Sequence, residues 1–270
     1  MCIRDRDKSV TYIYDIFSKK LTEVAPFTVD LLLPSGAENL NYVLYTDESP
    51  YKMQREWLDR LPFDIYSVNV HTGAKRLIGR SYRTAPKWSV NGKWAVMYDP
   101  IAQVWNKFDG ATGKVVNISD VIGYPMFVES YDKPAPAPAY GIAGWTADGN
   151  NVFLYDAYDW WKIDLTGERQ PECLTKGYGR RHGKSIRKMT SNIDKDVFQK
   201  DEKVIVSLWD KDTMDEGVYQ LDMKGRLRKL MEGNYVYTIH RFSDNHEYCV
   251  WNRQNVSEFR DLWWSKSDFS

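Results

Sequence analysis

Five copies of one short unit recur along the 270 residues: a β-rich run, an Asp or Asn, two or three further residues, a turn, and a second β-rich run. The first copy is Tyr12-Ile13-Tyr14-Asp15, with turn Ser18-Lys19-Lys20 and then Leu21-Thr22. The second is Tyr66-Ser67-Val68-Asn69 with Thr72-Gly73 and Arg76-Leu77-Ile78. The third runs from Trp105 to Asp109 with Thr112-Gly113 and Val115 to Ile118; the fourth is Trp161-Lys162-Ile163-Asp164 with Thr166-Gly167 and Cys173-Leu174-Thr175. The fifth is Val218 to Asp222 with Lys224-Gly225 and Leu227 to Leu230. A repeat of this length constrains the fold more than any composition does, because a unit so short cannot bury its own apolar faces and must stack on its neighbours.

The acidic or amide positions Asp15, Asn69, Asp109, Asp164 and Asp222 follow one another at intervals of 54, 40, 55 and 58 residues. Gly73, Gly113, Gly167 and Gly225 supply the positive φ that a tight hairpin needs without a Cβ clash. A second hairpin precedes the first in each unit. Trp88-Ser89-Val90-Asn91-Gly92-Lys93 leads into Trp94 to Tyr98, and Trp145-Thr146-Ala147-Asp148-Gly149-Asn150 leads into Val152 to Tyr155. Asn-Gly and Asp-Gly are strong two-residue hairpin signals. Weaker copies stand at Ser243 to His246 and at Ser35-Gly36-Ala37 before Leu40 to Tyr45. Two hairpins per unit make a four-stranded antiparallel sheet, and intervals near ~40 to 50 residues are those of β-propeller blades. The expected fold is therefore all-β: an incomplete β-propeller with about four full blades and a partial blade at each end.

Met1 to Arg6 is charged at Arg4, Asp5 and Arg6 and reads as a junction unrelated to the fold, so that residues 7–270 are expected to form the partial propeller. The last unit begins near Tyr235 and reaches Ser270 where its outer hairpin should turn, so both ends read as cut. Tyr51 to Leu61 is expected to be an insertion with a helical turn. Pro125 to Tyr140, with Pro134, Pro136 and Pro138, is expected to be an extended, stiff connector. The 11 Trp, 18 Tyr and 10 Phe suit half-buried pleated surfaces. Lys plus Arg and Asp plus Glu number 37 each, so no global field favours nucleic acid. No stretch approaches the ~20 apolar residues of a membrane helix, and no membrane span is expected.

The run Tyr140-Gly141-Ile142-Ala143-Gly144-Trp145-Thr146, then Tyr155-Asp156-Ala157-Tyr158-Asp159-Trp160-Trp161, then Leu174-Thr175-Lys176-Gly177-Tyr178-Gly179-Arg180, resembles the propeller of bacterial prolyl oligopeptidase-like serine peptidases. So does the stretch Ser257-Glu258-Phe259-Arg260-Asp261-Leu262-Trp263. The resemblance covers most of the chain from about Asp64 onward; before Asp64 only the repeat supports the fold. It implies a non-catalytic domain that filters peptide substrates by size and helps to hold them, set against a C-terminal α/β-hydrolase domain that carries the Ser, Asp and His triad. It also implies a periplasmic or secreted location and no cofactor.

The residues agree that the catalytic half lies outside this sequence. A nucleophile elbow needs Gly-x-Ser-x-Gly, and the nearest approaches, Gly79 to Arg83 around Ser81 and Gly183 to Arg187 around Ser185, put Arg where the second Gly is required. His71, His182, His240 and His246 lie in different units without zinc-ligand spacing; His71 and His246 read as exposed turn residues. Cys2, Cys173 and Cys249 make no metal or disulfide pattern, and the latter two read as buried small apolar residues.

Asp156 and Asp159 are expected to cap a turn through backbone N–H bonds; a glycosidase would instead need two carboxylates facing one cleft. One ring of each pair Trp160-Trp161 and Trp263-Trp264 is expected between blades and the other at an outer surface. Asn117 to Ser119 and Asn255 to Ser257 match a glycosylation triplet short enough to occur by chance. The densest basic cluster is Arg180, Arg181, His182, Lys184, Arg187 and Lys188. Within it Arg180 and Arg181 are the candidate guides for the carboxylate of an entering peptide, through bidentate contacts, against a solvated loop as the plainer reading. The functional readings are thus a peptidase propeller, a stand-alone protein-interaction propeller of the WD-repeat kind and, third, a propeller glycosidase.

Overall fold

The computed structural model describes residues 10–26, 29, 31–35, 41–58, 60–189, 196–245 and 247–269. The junction at Met1 to Arg6, Cys2, the turn residues Gly36 and Ala37, Leu40 and His246 lie outside the described residues. Two compact units make up the chain: 1–121 with 131–139, and 122–130 with 140–270.

In the first unit, β1 (Thr11–Asp15) pairs with β2 (Lys20–Ala25). Strands β3 (Leu31–Leu33), β4 (Tyr42–Asp47), β5 (Phe63–Asn69) and β6 (Lys75–Tyr82) form an antiparallel sheet in sequence order. Within the stretch expected to hold a helical turn, Tyr51 to Leu61, only the first of the described residues are helical, in a 3-10 helix at Ser49–Gln54 between β4 and β5. Strands β7 (Lys87–Trp88), β8 (Trp94–Asp99), β9 (Val104–Asp109) and β10 (Val115–Asn117) repeat the same order.

In the second unit, β11 (Ile142–Thr146), β12 (Asn151–Tyr155), β13 (Trp160–Asp164) and β14 (Glu172–Cys173) form the next sheet. A one-turn helix, α1 (Tyr178–Arg181), leads to β15 (Lys184–Lys188), and β16 (Val197–Phe198) returns to pair in parallel with β11. β15 heads a sheet with β17 (Lys203–Asp210), β18 (Glu216–Asp222) and β19 (Leu227–Gly233). The last sheet is β20 (Val236–Phe242), β21 (Tyr248–Gln254) and β22 (Asp261–Lys266). Four sheets thus hold the full antiparallel complement and the first and last hold fewer strands, as the repeat predicts for an incomplete β-propeller.

Adjacent residues of one strand feed different cores. Leu44 packs with Ile65, Tyr82, Met97 and Phe108, whereas its neighbours Val43 and Tyr45 pack with Val24, Val68 and Val70. In the second unit Tyr219 joins Phe153, Trp160, Ile186 and Leu208, while Val218 joins Tyr237, Ile239 and Trp251. Because side chains alternate across a strand, these sheets are buried on both faces, each face against a neighbouring sheet.

The hairpins are held by their own side chains. Asp15, Asn69, Asp109, Asp164 and Asp222 each accept backbone N–H bonds from the turn that follows. The glycines at those turns have φ of +75°, +70°, +85° and +79° at Gly73, Gly113, Gly167 and Gly225. The inner turns share a second device. Ser89 Oγ donates to Asn91 Oδ1 at 2.8 Å and accepts from Trp94 N–H. Thr146 with Asp148 and Ser243 with Asn245 repeat it, through the N–H groups of Asn151 and Tyr248.

Two expectations are corrected. The Pro125–Tyr140 stretch is not an extended rod but a run of turns: Tyr140 N–H bonds to Met126 O and Ala135 N–H to Lys133 O. Proline fixes only its own φ and biases the residue before it, so Pro134, Pro136 and Pro138 leave room for reversals. Trp160 is fully buried and Trp161 partly so, as expected, but Trp263 and Trp264 are both exposed, at 42% and 74%. β22 pairs only with β21 among the described residues, so its rings lean on their own sheet, Trp263 stacking on Trp251 at 5.8 Å.

Hydrogen bonds from Thr146 Oγ1 and Asn150 N–H hold the Asp148 carboxyl below its usual value of 3.8. Its contribution is present above that value and lost as pH falls through the lower folded value. Asn fills the same position in the other two turns, so Asp148→Asn should fold normally and cost at most about 1 kcal/mol at pH 7. That deficit should shrink or reverse by pH 3; thermal melts showing a deficit independent of pH would refute this. The exposed Leu262 and Trp264 on the β22 edge should drive concentration-dependent association. Sedimentation velocity should show it diminished in Leu262→Lys/Trp264→Lys.

Candidate functional site

The longest of the family-like strings converge on one place in the second unit. The turn between β12 and β13 is closed by Asp156, whose Oδ1 accepts the N–H groups of Tyr158 and Asp159 at 2.7 and 2.6 Å. This is the predicted Asx-turn. The other oxygen of Asp156 accepts from Trp161 Nε1 and from Arg180 Nη2, both at 3.0 Å. Asp159 accepts from Thr175 Oγ1 at 2.6 Å and from the N–H groups of Gly179 and Arg180 at 2.9 and 3.0 Å. Both carboxylates are 1% exposed. With their lone pairs so engaged, they cap a turn and do not face a cleft as a glycosidase pair would.

A second arginine completes the cluster from β15. Arg187 Nη2 donates to the main-chain oxygens of Asp156 and Ala157, at 2.7 and 3.3 Å. Its guanidinium lies over the rings of Tyr155 and Tyr140, at 4.7 and 5.3 Å. Burial pushes it below the usual arginine range, with the Tyr155 and Asp156 oxygens opposing that shift, and arginine stays protonated regardless. Ile186 N–H bonds to Tyr158 O at 2.8 Å, and Trp160 Nε1 returns a bond to Ile186 O at 3.2 Å. Two acids and two arginines therefore tie the turn of one sheet to the first strand of the next. Gly179 is the tight point, since a Cβ there would lie 2.6 Å from Lys184 O and 2.7 Å from Tyr158 O.

Of the two predicted guides, Arg180 is partly committed: its Nη2 is ion-paired with Asp156, and its face lies 3.8 Å from the Tyr124 ring and 5.0 Å from that of Tyr158. It remains 31% exposed. Arg181 is exposed and donates from Nη1 to Lys176 O at 2.6 Å. Lys184 pairs with Glu232, and Lys188 with Asp196. Two members of this face had no signal in the sequence: Tyr124, on a loop before β11, and Lys211, whose Nζ lies 3.9 Å over the Tyr158 ring.

The remaining candidates resolve individually. His71, His182 and His240 are exposed, contacting Asn41, the Tyr178 ring and Asn252 respectively. Ser185 is buried in β15, and Ser81 is bonded through its N–H to the buried Asp64. Asn117 and Asn255 both turn their side-chain oxygen onto backbone N–H groups two and three residues on. Cys173 and Cys249 are free thiols, pushed up by burial. Among the described residues no group of three or more His, Cys, Asp or Glu could hold a metal ion, and no helix is long and apolar enough to cross a membrane.

No protein-family model and no curated protein matches the chain. Among solved structures it is similar to Porphyromonas gingivalis dipeptidyl peptidase 4, at 12% identity over 95% of this chain and 41% of that one, with a TM-score of 0.50. It is also similar to TolB from Acinetobacter baumannii, at 15% identity over 96% and 57% of the two chains, TM-score 0.42. A third is prolyl oligopeptidase B from Galerina marginata, at 12% identity over 97% and 40%, TM-score 0.46. The chain thus spans a little over half of that TolB and about two-fifths of either peptidase. At such identities the likeness is one of fold: the sheets described above are the blades of a β-propeller.

Asp159→Ala would strand the Gly179 and Arg180 N–H groups and the Thr175 hydroxyl, and should lower unfolding stability by roughly 3 kcal/mol or more. Gly179→Ala should cost about 1 to 3 kcal/mol by overpacking. Urea unfolding checks both, and a loss under about 1 kcal/mol in Asp159→Ala would show that the cluster does not bind the two sheets together.

Proposed function

We propose that this chain is the non-catalytic propeller part of a prolyl oligopeptidase-like serine peptidase, gating and orienting peptides for an α/β-hydrolase domain that is not among these residues. The observation that carries the reading is the convergence of the family-like strings 155–161 and 174–180 on one interlocked cluster of Asp156, Asp159 and Arg180. Two stretches that resemble one family for unrelated reasons would have no cause to complete each other's hydrogen bonds. The fold is compatible with it, as is the name of the peptidase from P. gingivalis, of which this chain spans 41%. No Gly-x-Ser-x-Gly occurs in the 270 residues, so the nucleophile belongs elsewhere in this reading. In it the propeller limits substrate size by steric access, and Arg181, with the donors that Arg180 has left, meets peptide carboxylates.

The test is to express the complete product of the gene that encodes this chain and to treat it with a fluorophosphonate probe. Labelling of one serine outside residues 1–270, with cleavage of short peptides in preference to folded proteins, is the expected result. A product with no labelled serine and no peptidase activity would replace this reading with the stand-alone interaction propeller.

A further inference from the structure

The loop after β17 brings a cation to the acid and arginine cluster that the cluster does not need. The register Lys184↔Asp210 between β15 and β17 sets the residue after Asp210 beside the end of α1, where Lys211 N–H approaches Gly183 O at 3.4 Å. Lys211 then lays its Nζ 3.9 Å from the centroid of the Tyr158 ring. Arg180 approaches the same ring at 5.0 Å, so two cations stand within about 5 Å of one centroid. Beneath them Asp156 is ion-paired with Arg180, Arg187 donates to the main-chain oxygens of Asp156 and Ala157, and Asp159 is capped by Thr175 Oγ1 and the N–H groups of Gly179 and Arg180. Lys211 takes no part in these bonds. Among the described residues it makes no ion pair, and the acids nearest in sequence are otherwise placed: Asp210 caps its own turn through the N–H groups of Asp212 and Thr213, and Asp212 is an exposed turn residue beside Gly183.

Two like charges sharing one aromatic ring repel, and an anion between them relieves that repulsion while keeping the cation–π contacts. Arg180 has its Nη2 committed to Asp156 but is 31% exposed, with Nε and Nη1 making no protein hydrogen bond among the described residues. We propose that Lys211 and Arg180, both held over the ring of Tyr158, form a carboxylate-binding site, with Lys211 supplying a charge that no protein acid pairs among the described residues and Arg180 the directed N–H donors. The ligand class is a peptide carboxylate, from an acidic side chain or from a free C-terminus. This deepens the proposed peptide-handling role and rests on it for its biological meaning; it adds to Arg180 and Arg181 of α1 a cation from the turn that follows β17.

The experiment titrates the chain by isothermal calorimetry at low salt with acetyl-Gly-Glu-Gly-amide, acetyl-Gly-Gln-Gly-amide and acetyl-Gly-Gly-Gly bearing a free carboxylate. The Glu peptide, the free-carboxylate peptide or both should bind at least about fivefold more tightly than the Gln peptide, the two arms telling side chain from terminus. Lys211→Met, which keeps an apolar stem against Tyr158, should abolish that preference without altering the thermal transition, and Lys211→Arg should restore it. Equal binding of the Glu and Gln peptides, no binding of any peptide, or a preference that survives Lys211→Met would each overturn the assignment. Serine labelling of the complete gene product is read independently. Labelling without carboxylate preference therefore removes the Lys211 site alone, and preference without labelling removes the peptidase reading alone.

Discussion

Burial on both faces, as in the sheet of β4 and the sheet of β18, is the condition on which the remainder of this structure rests. β4 sends Leu44 into one core and Val43 and Tyr45 into another, so its sheet has no solvent face to spare. Each fully buried side chain of this size is worth about 1.5 to 3 kcal/mol, and for a two-faced sheet that contribution exists only while both neighbours are present. β4 and β18 accordingly carry long buried runs, whereas β22, with no further strand beside it among the described residues, leaves Leu262, Trp263 and Trp264 in solvent. Stability in such an architecture is collective in the way of a stack.

Stacking leaves the polar connections as the places where sheets must also be joined chemically. The cluster around Asp156 and Asp159 does this by closing a turn on one sheet with side-chain oxygens and spending the remaining oxygens on the helix that starts the next. Every carboxylate oxygen there has a donor, and Asp156 is also ion-paired with Arg180, which lowers the penalty that buried ions carry. The arrangement also fixes the exposed fringe above it: Tyr158 is pinned by the turn, and Arg180 and Lys211 take their positions from that ring.

Much of the fold was legible because hairpin information is local. Asp15, Asn69, Asp109, Asp164 and Asp222 bond to N–H groups only a few residues away, so a side-chain acceptor and a following glycine or small turn residue suffice to announce the turn. The same holds for Ser89 with Asn91 and for the Asp156 turn. The Trp263-Trp264 pair misled because alternation assigns faces but cannot supply the strand that would cover them. The proline stretch misled because residue type constrains φ while the path of the chain depends on which carbonyl each free N–H finds.

Sequence alone determined the period, the two hairpins per unit and therefore the all-β stacked class, since each follows from contacts spanning a turn. It also marked Arg180 and Arg181 as a dense positive stretch. Only the tertiary structure decided how those charges are used: Arg180 reaches back 24 residues to Asp156, and Lys211, isolated in sequence from the basic cluster, arrives beside it through the pairing of β15 with β17. Charge spacing along a chain cannot reveal such a balance, because the Coulomb energy depends on distances in space that are set by which strands pair and not by how far apart their residues are numbered.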